Sequence, residues 1–136
     1  MENPAEFYMP ATDAATGRAA YFSKYDIVRD DYRAVMASCA LPGFCRPVKV
    51  GDRYYYDGGV ADSIPIIRSL KTGHRKNVII LTRNFGYRKK EGTRGWELYV
   101  AAFRKYPNLV RALVNRAKHY NQVLECIEKW EEEGFR

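Results

Sequence analysis

Apolar residues run along this chain in two rhythms, alternating or in short blocks up to about residue 92 and then recurring every three to four positions. Between Glu6 and Phe22, two β-compatible runs, EFYMPATD and GRAAYF, flank Asp13-Ala14-Ala15-Thr16-Gly17. Asp13 can bond its own downstream backbone and Gly17 can adopt positive φ, so the pattern predicts a hairpin. Pro10 lacks an N–H and predicts an exposed edge or a break in the first strand. Asp30 and Asp31 precede YRAVMASCA, and acids suit the positive end of a short helix stopping before Leu41-Pro42-Gly43. Extended structure resumes with Arg46 to Val50, turns at Gly51-Asp52 and returns through Arg53-Tyr54-Tyr55-Tyr56. Ser63 is predicted to cap the next helix, with Pro65 in its first turn and Gly73 just past its end. Val78-Ile79-Ile80-Leu81 is continuously apolar, which predicts a strand covered on both faces and is the strongest fold signal here.

From Gly95 onward the spacing is helical. Trp96, Tyr99, Val100 and Phe103 form one face, and Pro107 restarts a helix carrying Leu109, Leu113, Ala117, Tyr120, Leu124 and Ile127 on one stripe. Packing of this stripe on the core is the ordinary reading. A lipid-facing stripe with Arg104, Lys105, Arg111, Arg116 and Lys118 at the headgroups is the functional one. Arg88-Lys89-Lys90, near Arg83 and Arg94, reads as a solvated basic loop. The whole is read as a single incomplete domain over residues 1–136, with a sheet-containing part at 1–92 and C-terminal helices at 93–134. One buried strand, a hairpin or two and several helices make an incomplete sheet.

Charge sharpens the division. Residues 1–70 hold 8 Lys and Arg against 9 Asp and Glu, whereas residues 71–136 hold 15 against 7, so the net +7 belongs to the second half. Such a surface attracts phosphate, on nucleic acid or on anionic lipid. Charge alone does not choose between them, but aromatic residues are not interleaved with the basic ones as a stacking platform requires, which counts against a nucleic-acid module. Cys39, Cys45 and Cys126 are odd in number and lack CxxC spacing, which speaks against a disulfide framework and for reduced thiols in the cytoplasm. No metal or other cofactor is expected, and no apolar run is long enough to cross a bilayer.

Residues 51–65, GDRYYYDGGVADSIP, carry the candidate chemistry. Asp57 closes a strand and opens a turn in which Gly58 and Gly59 permit close backbone approach. An Asx turn accounts for this locally. A carboxylate fixed at a strand end could equally take a proton from an alcohol. The wider context resembles the catalytic-aspartate region of patatin-like phospholipases: Asp57-Gly58-Gly59, Ile64-Pro65 beyond it, and Leu81-Thr82-Arg83 closing a later strand. Upstream, Ala37 to Phe44 with Pro47 and Val48 is similar to that family's approach to the aspartate, and Thr12-Asp13 with Gly17 to its preceding hairpin. The tail, with Lys105-Tyr106-Pro107 and Arg116 to Asn121, is similar to a bacterial branch.

The resemblance implies an α/β fold, here a partial three-layer α/β/α domain with β-hairpins, at least one buried central strand and a C-terminal helical segment. It implies a serine–aspartate dyad, without histidine, acting on acyl lipid or phospholipid; peripheral contact with an anionic membrane, and no nucleic acid, is the expectation from the charge pattern. Asp57 maps onto the catalytic aspartate, with Gly58 and Gly59 shaping its turn. The sequence departs from the family in having no G-x-S-x-G and no glycine-rich oxyanion loop; its serines are Ser23, Ser38, Ser63 and Ser69. In the family both elements precede the hairpin. The expectation is therefore a C-terminal fragment, inactive alone, whose missing part would precede Met1. The alternatives are a basic binding module for nucleic acid or an anionic membrane surface, and a noncatalytic interaction domain that retains the hydrolase architecture.

Overall fold

A computed structural model describes residues 4–91 and 95–134, with the side chain of Trp96 also left aside. The expectations placed on Arg94 and on the Trp96 ring fall outside the described positions. Four strands form one antiparallel sheet: β1 (Tyr8–Asp13), β2 (Ala19–Ser23), β3 (Val48–Val50) and β4 (Arg53–Asp57), in the order β2-β1-β4-β3. Four helices accompany them: α1 (Arg33–Cys39), α2 (Ile66–Lys71), α3 (Trp96–Ala102) and α4 (Pro107–Glu132).

The β1–β2 hairpin closes through Asp13. Its Oδ1 accepts from the N–H groups of Ala15 and Thr16, each at 2.9 Å, and Gly17 sits at φ 67°. Burial alone would raise the Asp13 pKa; the Arg53 guanidinium at 2.8 Å and these backbone donors hold it below the usual carboxylate value. Pro10 does not mark a sheet edge, since β1 lies inside the sheet. It marks a break: the β1–β4 ladder runs only from Ala11 to Asp13, and the Pro10 carbonyl accepts instead from Ser38 Oγ at 2.7 Å.

Neighbouring residues on a strand point to opposite faces, and β4 shows this directly. Tyr55 packs with Ala11, Phe22, Ala34 and Ala37 under α1, while Tyr56 packs with Val60, Phe103 and Leu109 of the helical tail. Tyr56 meets Phe103 edge-on at 5.7 Å between ring centroids. The predicted α4 stripe is covered by the chain's own core, with Leu109, Tyr120 and Leu124 buried. Among the described side chains of the face predicted around α3, Phe103, which caps the helix, is buried, whereas Tyr99 and Val100 stay exposed.

Two predictions fail. Ser63 does not cap α2, because its hydroxyl donates to the Gly59 carbonyl at 2.7 Å; Pro65 is itself the residue preceding the helix. The Val78–Leu81 run is not a strand. Val78 and Ile80 are 93% and 88% exposed, and only Ile79 packs inward, against the Ile64, Ile66 and Leu124 cluster. A buried strand needs a hydrogen-bonding neighbour on each edge and cover on each face. The described residues provide no ladder for this segment, so the at least one buried central strand expected there is absent from the described sheet.

Candidate active site

The turn after β4 is a single 3-10 turn, Gly58–Val60, and Asp57 is its N-terminal cap. Asp57 Oδ1 accepts from the Gly59 N–H at 2.7 Å, and the half-buried carboxylate makes no other hydrogen bond among the described residues. Its backbone is anchored on two sides: the N–H donates to the Ala40 carbonyl at 2.8 Å, and the Asp57 carbonyl accepts from Thr12 Oγ1 at 2.8 Å. Thr12, wholly buried, accepts in turn from the Ala61 N–H at 3.2 Å. The base of the turn is thus tied to β1 and to the end of α1.

Space requires glycine at 58, and at 59 a side chain would displace the Asp57 carboxylate. A Cβ on Gly58 would fall 2.1 Å from the Pro10 carbonyl oxygen, and one on Gly59 would fall 2.9 Å from Asp57 Oδ1. The Gly59 carbonyl accepts from Ser63 Oγ and, at 2.8 Å, from Arg116 Nε, so α4 fixes the turn from across the molecule.

Sequence reasoning missed the cations. Lys89 Nζ lies 4.0 Å from the Tyr120 ring centroid and 3.4 Å from Ser63 Oγ. Its backbone is held as a strand partner would hold it: Asn121 Oδ1 accepts from the Lys89 N–H at 2.8 Å and Asn121 Nδ2 donates to its carbonyl at 2.9 Å. Burial, reinforced by Arg116 and Arg83 and partly offset by Asp57, lowers the Lys89 pKa to about 8. Arg88 pairs with Glu128, whereas neither Lys89 nor Arg116 forms an ion pair among the described residues. The signal that could have found Lys89 is Asn121, a buried amide amid Tyr120, Val123 and Leu124, which demands a polar partner.

The arrangement is a carboxylate with one oxygen committed to its own turn, set beside two cations on a frame of strand, 3-10 turn and helix. Such geometry suits general acid–base work on a substrate with an oxyanion or acyl oxygen nearby. Residues 10–69 match the family model of patatin-like phospholipases, a span that includes Asp57, Gly58 and Gly59 and ends before the helical tail. The match supports a patatin-like family for this chain, and the mixed helices and four-stranded antiparallel sheet are consistent with a partial α/β domain of that kind. No solved structure matches the chain.

Proposed function

We propose that this chain is the C-terminal part of the catalytic domain of a bacterial patatin-like lipid acyl hydrolase, and that Asp57 is its catalytic base. The observation that carries the reading is the Asp57 carboxylate, oriented by the Gly59 N–H through one oxygen, with the other making no hydrogen bond among the described residues. In the reaction a serine Oγ attacks the acyl carbonyl while its proton passes to Asp57. The ester C–O bond then breaks and Asp57 returns that proton to the leaving alcohol. Water completes the cycle by the same proton transfers, releasing the fatty acid.

The serine is not supplied by a G-x-S-x-G in this sequence. The chain alone is therefore inactive in this reading. The exposed side chains of Val78 and Ile80 favour it too, since a further layer packed on this segment would cover them. The protein works in the cytoplasm at an anionic membrane surface, met by the basic second half.

The test has two arms. The chain by itself should neither hydrolyse a short-chain ester nor take up a fluorophosphonate probe, and joining it to the segment bearing the nucleophile should restore both. In that complete protein, Asp57→Asn should lower kcat by at least about 10³-fold, consistent with losing an essential general base. Turnover by the chain alone would end the fragment reading; retained activity in Asp57→Asn would remove Asp57 from the mechanism.

A further inference from the structure

On the next face of α4, a pocket of about 320 Å³ opens against β2, the end of the Asp57 turn and α2. Its polar wall consists of Tyr21, Asp62, Arg68, Lys71 and His119, with Ala61 at its floor. The volume is at the lower end of the range that holds small ligands. We propose that this pocket binds a phosphate-type anion, with Arg68 as the central ligand and Lys71 and His119 completing the site.

The Arg68 guanidinium lies over the Tyr21 and Tyr8 rings, 5.0 and 5.5 Å from their centroids, and its Nε is buried without a hydrogen-bond partner among the described residues. Native interiors seldom leave such a donor unpaired. The one carboxylate in the pocket does not answer it: Asp62 is engaged by the Tyr21 hydroxyl and forms no ion pair with Arg68. Burial first, and Asp62 second, push the Tyr21 pKa far up, so this hydroxyl keeps its proton and remains the donor to Asp62.

Against this single carboxylate the pocket sets the basic side chains of Arg68 and Lys71, with the His119 imidazole beside them. A doubly charged tetrahedral anion presents several acceptors to such a set, and a planar guanidinium binds it with two parallel bonds. Apolar Ile67 and Val123 beside it leave room for a small organic ester. The inference does not depend on the hydrolase reading, because it uses none of the groups assigned to Asp57 chemistry.

The source of the phosphate is either a soluble compound or a lipid headgroup, and an NMR titration of the full chain separates them. Inorganic phosphate should give saturable shifts of the Ala61 amide and the His119 ring protons, matching a soluble source. Shifts elicited only by vesicles of phosphatidic acid in a neutral lipid would assign the headgroup. Arg68→Gln and Lys71→Gln should each weaken binding by about tenfold or more, the loss of a charge-assisted bond. Lys71 is exposed, so its variant decides the matter if Arg68→Gln fails to fold. Silence of both probes in both titrations, or undiminished binding by Lys71→Gln, would overturn the proposal.

Discussion

At Gly58 the backbone of the turn passes so close to β1 that any side chain would meet the Pro10 carbonyl, its oxygen at 2.1 Å and its carbon at 2.4 Å. Neither partner can yield cheaply, because Pro10 is held by Ser38 and Gly58 by the turn. Gly58→Ala should therefore destabilise the chain by about 3 kcal/mol, the upper part of the range for overpacking. Gly51→Ala is the control: its φ is +59° but nothing lies within 4 Å of the added methyl, so about 1 to 2 kcal/mol is expected. Urea unfolding of the two variants checks the contrast, and equal midpoints would refute the steric account. The need for glycine after Asp57 was legible in the sequence, since paired glycines signal close approach. The group approached was not, because Pro10 lies 48 positions away and no local rule links the two.

At the element scale, Val78–Leu81 separates what sequence pattern can and cannot determine. Four apolar residues in a row announce a β-competent chain, yet pairing and burial are properties of neighbours. Here Ile79 alone finds them. Ile79→Ala should cost about 1 kcal/mol or more, the transfer value of a partly covered side chain. Val78→Lys and Ile80→Lys should stay within about 0.5 kcal/mol of the parent, as surface substitutions do. Thermal unfolding distinguishes these outcomes, and a large loss from Val78→Lys would mean the segment is covered in solution. Helix α4, by contrast, was readable from end to end, because its stripe recurs at helical spacing and Pro107 occupies its first position. The cations at Asp57 were unreadable for the opposite reason: Lys89 sits in a basic run whose ordinary fate is solvent, and Arg116 lies on the margin of an amphipathic helix.

Across the whole molecule, Lys89 joins the Asp57 turn, α4 and the segment before residue 92, and its titration should be felt in global stability. Its pKa is about 8 in the folded chain against an ordinary 10.5. Between those values the unfolded chain still holds a proton that the folded chain has released, so raising the pH favours folding. Below about pH 8 the folded state bears the full cost of the buried ammonium. The unfolding free energy of the parent should rise relative to Lys89→Met from about pH 8 to 10.5, the difference removing the tyrosines common to both. Parallel curves for the two chains would show that the ammonium is not desolvated.

The contact between Asn108 and the first hairpin has a consequence for the integrity of the molecule. Asn108 Nδ2 donates to the Ala15 carbonyl at 2.9 Å, and a Cβ on Gly17 would touch the Asn108 carbonyl oxygen at 2.3 Å. Leu109, the next residue, is wholly enclosed beside Tyr56. A protease that severed the peptide after Lys90 would not divide the protein in two. Both pieces would travel together through a sizing column, parting only in denaturant, because the seam that joins them is noncovalent and lies far from the cut.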